Sequence, residues 1–270
     1  SRFLIRFAHT LNSMPKHHSR KRRVSAPAIV PAEKGLIAVG CSHAHAICPE
    51  ARKAVLSHID KFKPEIRIHL GDFCDTAAFR SGAKGDPDES DPVEPDIDSG
   101  LTFLAEMRAT HVLCGNHEDR LWKLQYSGNA IVAYAARKAI QAITEKCDEL
   151  GAILIPWDGA FQGITFGDTR FMHGVMYGEN CIRDHAEAYG NVIHAHCHRA
   201  GIAFGRRIDN PVGMSVGTLS RKREHGYAKG RRSTLAWSQA FCWGPVTDQV
   251  ARLNLCLGPK ENGTGSWYLP

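Results

Sequence analysis

Ile68-His69-Leu70-Gly71-Asp72-Phe73-Cys74-Asp75 reads as the end of a buried strand running into a tight acidic turn. The apolar run begins at Ile66, stops at Gly71, and leaves Asp72 just past the strand's C-terminal end. A carboxylate in that place is well set to bridge two metal ions. Gly-Asp turns are common, so the weight comes from four further clusters in fixed order. These are Cys41-Ser42-His43, Gly115-Asn116-His117-Glu118, His173-Gly174 and His196-Cys197-His198, each directly after a short apolar stretch.

On the N-terminal side, Leu36 to Val39 is continuously apolar and predicts a buried strand. Pro49 to Phe62 has helical spacing, with Ala51, Val55, Ile59 and Phe62 on one face, and Pro64 ends it. With Ile66 to Leu70 this makes a βαβ unit with a polar cluster at the end of each strand, the edge where α/β sheets collect ligands. On the C-terminal side, residues 81–100 hold seven acidic residues interleaved with Pro87, Pro92 and Pro95, from Asp86 to Asp98. That segment predicts a solvated surface insertion, with a lid or a partner for basic segments as the alternatives. Leu101 to Met107 predicts a short helix, His111 to Cys114 a strand, and Ala130 to Leu150 a long amphipathic helix. Ile153 to Pro156, Gly163 to Thr165, Thr169 to Met172 and Val192 to His194 predict strands. From Ile202 to Leu257 short apolar runs alternate with turn residues, which predicts a mostly β half. A basic stretch, Arg221 to Arg232, includes Lys222, Arg223, Lys229 and Arg231.

The chain has 270 residues, 43% hydrophobic and 23% charged, enough for one large domain or two small ones. Net charge is +6 and the pI is near 8.9, a mild bias toward anionic ligands. No apolar run approaches the roughly 18 residues of a membrane span, so no membrane partner is expected. Nine scattered cysteines without a CxxC pair predict free thiols in a reducing, cytoplasmic compartment rather than a disulfide framework or a zinc ribbon. Fifteen histidines are many for this length. Residues 1–33 carry no acid before Glu33 and include Arg20-Lys21-Arg22-Arg23. They read as a disordered basic arm, with a nucleic-acid-contacting arm or a transit peptide as alternatives. Met14 offers a start that would make the first thirteen residues an upstream extension. Residues 34–270 are expected to form a single domain carrying the 81–100 insertion.

Hydrolysis of a phosphate ester at neutral pH needs a strong nucleophile and neutralisation of spreading negative charge. Two divalent ions about 3.5–4 Å apart supply both, through a bridging hydroxide and paired contacts to phosphate oxygens. The five clusters together resemble the calcineurin-like metallophosphoesterase superfamily. Its ordered signature is Asp-x-His, Gly-Asp-x-x-Asp, Gly-Asn-His-Asp/Glu, a His before a small residue, and Gly-His-x-His. The resemblance covers roughly residues 36–200. Residues 237–241, Trp-Ser-Gln-Ala-Phe, add a looser likeness to bacterial and phage-encoded members.

This resemblance implies a four-layer α/β/β/α sandwich and a metal-dependent phosphodiesterase or phosphatase, the diester slightly preferred. It implies one ion held by Cys41, His43, Asp72 and His198, and a second by Asp72, Asn116, His173 and His196. His117 would assist the leaving group, and Asp75 would orient a histidine from behind. Arg120 is a candidate phosphate contact. Nucleotides or nucleic acid are among the substrates it suggests; the oligomeric state is not implied. Cys41 stands where the family has Asp, and a thiolate favours zinc or iron over manganese or magnesium. Either Cys41 ligates, or the first ion is weakly held. Ala195 replaces a Gly, at small cost unless the backbone needs a positive φ. Protein phosphatases of this family carry arginines at the places of Thr76 and Cys114, which weakens that alternative. A metal-poor nucleic-acid-binding module, and a dimetal hydrolase of another bond, complete the alternatives. His45, His58, His69, His111, His185 and His194 read as core or surface histidines, and Cys74, Cys114 and Cys197 as small buried fillers.

Overall fold

The computed structural model describes residues 32–225, 234–259 and 267. The basic arm, but for Ala32 and Glu33, lies outside the described residues, as do Lys229 and Arg231.

Two sheets face each other. The first is built on β1 (Lys34–Val39), β2 (Ile66–His69), β3 (His111–Leu113) and β4 (Ile153–Ile155), all parallel. The second holds β5 (Ile164–Phe166), β6 (Thr169–Phe171), β7 (Val192–His194), β8 (Ala200–Phe204) and β9 (Val212–Val216) in the order β5-β6-β7-β9-β8. There β6, β7 and β9 run parallel, and the two edge strands antiparallel. Two late strands, β10 (Ala240–Val246) and β11 (Asn254–Leu257), return to the first sheet beside β1.

The side-chain alternation of β1 shows how one strand serves two cores. Leu36 and Ala38 point between the sheets, with Ile68, Leu70, Phe171, Ile193 and Val216. Ile37 and Val39 point outward, into a core with Val55 and Ile59 of helix α1 (Pro49–Phe62). The same outer core takes Leu101 and Leu104 of α2 (Val93–Glu106) and Leu121 of α3 (Asn116–Leu124). It also takes Ile143 of α4 (Ala130–Leu150). Helix α5 (Cys181–Tyr189) covers the second sheet, packing on β8 and β9. The layers are helix, sheet, sheet, helix, as expected. The mostly β C-terminal half is also observed, split between the two sheets.

Three expectations need correction. The acidic insertion is a loop only as far as Pro92: α2 starts at Val93, eight residues before the helix expected from Leu101. Its prolines fall before or within the first turn, where a missing N–H costs nothing. Asp96, Ile97 and Gly100 are buried, so that part of the run is core and not surface. In the remaining loop, Asp86 and Asp88 pair with Arg80, at 2.9 and 2.6 Å. Helices α3 and α5 went unexpected, each only nine residues long and too short for periodicity to declare itself. No helix among the described residues is long and apolar enough to cross a membrane.

Candidate metal centre

The five clusters lie at the C-terminal ends of β1, β2, β3, β6 and β7, and they converge. Ligand atoms of Cys41, His43, Asp72 and His198 lie within 4.8 Å of one another, and so do those of Asp72, His173 and His196. Asp72 belongs to both groups. In the first, His43 Nε2 sits 3.1 Å from His198 Nε2 and 4.0 Å from Asp72 Oδ2, while Cys41 Sγ is 4.0 Å from the same oxygen. In the second, His173 Nε2 is 3.3 Å from Asp72 Oδ2 and 3.1 Å from Asn116 Oδ1. His196 Nδ1 is 2.9 Å from Asn116 Oδ1. The structure thus brings together all seven residues expected as ligands.

The remaining atoms show which nitrogen of each ring faces inward. His43 Nδ1 bonds Asp75 Oδ1 at 2.9 Å, and His173 Nδ1 donates to the Leu70 carbonyl at 2.8 Å. Each bond leaves Nε2 as the inward lone pair, the usual arrangement behind metal-binding imidazoles. The donor set fits cations: inward-facing lone pairs and a shared carboxylate crowd together, with no ammonium or guanidinium from the described residues paired with them. Asp72 Oδ1 accepts the His117 amide at 3.0 Å, in the first turn of α3, which leaves Oδ2 for the two groups. Burial would raise the Asp72 carboxyl, but His117, His173 and His43 hold it well below the usual range. Burial and the Asp72 charge push the Cys41 thiol up. A cation beside it would take the proton's place.

Backbone geometry marks the same residues. Cys41, His43, Asp72, His196 and His198 all have φ between 50 and 58°, the left-handed region that side chains with a Cβ avoid. Strain of this kind collects where the surroundings over-determine a functional geometry. Gly115 explains the glycine before Asn116. A Cβ there would lie 2.1 Å from Asp72 Oδ1, so only glycine lets β3 deliver α3 this close to the carboxylate. Ala195 is not among the positive-φ residues. Its Cβ fills space left by Gly40, where a Cβ would come within 2.6 Å. The Ala-for-Gly change is therefore accommodated.

His117 lies on the cleft wall, Nδ1 2.6 Å from the Asp75 carbonyl and 3.3 Å from Asp75 Oδ1, with Nε2 3.9 Å from Asp72 Oδ2. Asp75 thus contacts both His43 and His117. Although burial opposes it, those two imidazoles hold the Asp75 carboxyl well below its usual range. Arg120 Nη1 bonds the Asp75 and Thr76 carbonyls, at 3.0 and 3.3 Å, and faces the same cleft.

Several supporting residues were not read from the sequence. The Glu118 carboxylate accepts the amides of Asp72, Cys74 and Gly115, at 2.9, 2.9 and 2.7 Å, and so locks the acidic turn. Burial and the Asp72 charge raise its pKa to about 7, against the pull of those amides. Its place three residues after the helix-capping glycine was the available signal. Asp96 accepts the amides of Asp75 and Thr76, at 3.1 and 2.8 Å, hidden in sequence among other acids. His225 is buried against His43, ring centroids 4.8 Å apart, and nothing local announces it. Cys74, Cys114 and Cys197 are buried, as fillers should be.

No family model matches the chain. The gene 54 protein of Mycobacterium phage D29 is 28% identical over 210 residues, 70% of this chain and 80% of that protein. Among solved structures, an archaeal phosphodiesterase is 15% identical with a TM-score of 0.40, over 83% of this chain and 99% of that one. A predicted phosphoesterase from Streptococcus pneumoniae is 14% identical with a TM-score of 0.36, over 88% and 98% of the two chains. Yfce, a phosphoesterase from E. coli, is 14% identical with a TM-score of 0.37, over 77% and 87%. Such distant likenesses add no weight to the site. The resemblance to metallophosphoesterases rests on the layered fold and on five ordered blocks that meet at Asp72.

Proposed function

We propose that the chain is a metallophosphoesterase that hydrolyses phosphoric esters, the diester preferred, at a two-cation centre around Asp72. The observation that carries this reading is that Asp72 belongs to two separate ligand groups, with Oδ2 facing His43 and Cys41 in one and His173 in the other. Cys41, His43, Asp72 and His198 would hold one ion, and Asp72, Asn116, His173 and His196 the other. Two such ions supply a nucleophile at neutral pH and neutralise charge on the phosphoryl oxygens. The thiol of Cys41 favours zinc or iron in the first position, with manganese the harder alternative.

The chain's own residues do the rest. His117 Nδ1 faces the Asp75 carbonyl, which can only accept, so Nδ1 carries the proton. Burial lowers the His117 pKa and the Asp72 charge raises it, the net direction being upward while no cation is bound to Asp72. Nε2 faces the cleft, so a proton held there is placed to go to the leaving oxygen. Arg120 stands beside it to receive a phosphoryl oxygen.

The protein-phosphatase alternative lacks support, since Thr76 Oγ1 is spent on the His117 carbonyl at 2.8 Å and Cys114 is buried in the core. A metal-poor binding module would need a lost ligand set, whereas Cys41 sits within ligand reach of Asp72.

Metal content with activity on p-nitrophenyl phosphate and bis(p-nitrophenyl) phosphate tests the proposal. His117→Gln is expected to keep its metal and lose about 10²–10⁴ in kcat. Cys41→Asp is expected to stay active and to shift preference from zinc or iron toward manganese. Metal-free wild-type protein after reconstitution, or unchanged kcat in His117→Gln, would overturn it.

A further inference from the structure

The metal cleft shares one lining residue, Trp237, with a second cavity. The first, about 410 Å³, is lined by Asp72, Asn116 and His196 together with His117, Arg120 and Tyr177. The second, about 590 Å³, passes Ser220, Lys222, Gln239 and Gly258. Trp237 lines both, its ring 4.1 Å from that of His198.

Tyr177 is 78% exposed, with its ring 6.4 Å from that of His196. Its loop is tied down from below. Arg199, the residue after His198, donates to the carbonyls of Tyr177, at 3.0 Å, and of Gly178. It also reaches Cys181 Sγ at 3.1 Å. An aromatic face is thus held in water at the lip of the cleft by the segment that carries two candidate ligands. Fixing the loop in advance removes part of the ordering cost of a stacked ligand.

The charges along the cleft are unequal. Arg80 is offset by Asp86 and Asp88. Arg120 lines the cleft, bonds the neutral carbonyls of Asp75 and Thr76 and forms no ion pair among the described residues. Arg120 and Tyr177 line the first cavity, Lys222 lines the second and Trp237 lines both, so cations and rings occur together on either side of Trp237. Phosphates and bases likewise occur together along a nucleic-acid strand whose bases are free. In a duplex the base faces are stacked on each other and unavailable to Tyr177.

Given the phosphoesterase reading, we infer that the diester hydrolysed here belongs to single-stranded nucleic acid, one base on Tyr177 and the strand continuing over Trp237 past Lys222. Water adds across one P–O bond. The phosphorus gains the water oxygen, the P–O bond to the leaving ribose or deoxyribose oxygen breaks, that oxygen takes a proton from His117, and a proton lost by the water restores His117, leaving a monoester and an alcohol.

The full chain, loaded with zinc or manganese, would be given a short labelled DNA strand, the matching RNA strand, the blunt duplex, and bis(p-nitrophenyl) phosphate. The single strand is expected to be cut at least about tenfold faster than the duplex, with DNA and RNA arms separating the two sugars. Tyr177→Leu should raise KM for the single strand about tenfold relative to its effect on bis(p-nitrophenyl) phosphate, within the range one stacked base contributes, and Tyr177→Phe should restore it. Equal cutting of duplex and single strand, or equal losses on both substrates in Tyr177→Leu, would overturn the inference. So would turnover of bis(p-nitrophenyl) phosphate with no cutting or binding of the strand. If no ester is turned over, the phosphoesterase reading falls by itself. Fluorescence anisotropy then decides this inference, which requires Tyr177→Leu to weaken single-strand binding about tenfold.

Discussion

At the scale of single residues, the centre is built from strained positions. Five of the seven candidate ligands carry a left-handed backbone, at a cost on the order of 1 kcal/mol each. The metal-free protein bears that cost, and bound cations would offset it. His196 is the cleanest test, being only partly buried with φ at 58°. Asn tolerates that conformation better than His. His196→Asn should therefore stabilise the metal-free protein by about 1 kcal/mol and lower its gain from added zinc. Urea unfolding with chelator and with zinc measures both, and a variant less stable in chelator would contradict the assignment of strain. The residues that converge on Asp72 were legible because each block is short and follows its own strand. His225 was not, since it reaches His43 only through the tertiary fold.

At the scale of elements, the first seven strands and helices α1 and α4 could be read, because apolar runs and helical spacing are local signals. The start of α2 could not. Residues 93–100 look solvated by composition, yet Asp96 is buried because it satisfies two amides of the turn after Asp75. Tertiary hydrogen bonding overrode composition there. Asp96→Ala would leave those amides unpaired, so a loss of about 1–3 kcal/mol is expected in denaturant midpoint, with weaker metal retention through Asp75 and His43. Unchanged stability would remove Asp96 from the account.

Helix α1 carries a second test. His58 packs among Phe62, Phe241 and Trp243, and among the described residues neither ring nitrogen finds a partner. Burial, with Lys61 a smaller cause, lowers its pKa to about 4. Between that value and the unfolded value near 6.5, only the unfolded chain takes up the proton. Stability should be full above about pH 6.5 and fall as pH drops toward about 4, by on the order of 1 kcal/mol after allowing for solvent screening. His58→Leu should flatten that slope, and an identical pH profile in the variant would exclude His58 as its source.

At the scale of the whole molecule, two sheets packed through Leu36, Ile68, Phe171 and Ile193 hold the ends of five strands at one edge. A site built on strand ends keeps its geometry better than one built on free loops. The activity, the substrate inference and the strain argument all depend on two cations sharing one carboxylate. Anomalous diffraction from crystals loaded with zinc or manganese addresses that directly. The account predicts two peaks about 3.5–4 Å apart on either side of Asp72 Oδ2, one near Cys41 and His198, the other near Asn116 and His173. A single peak, or peaks away from Asp72, would contradict it.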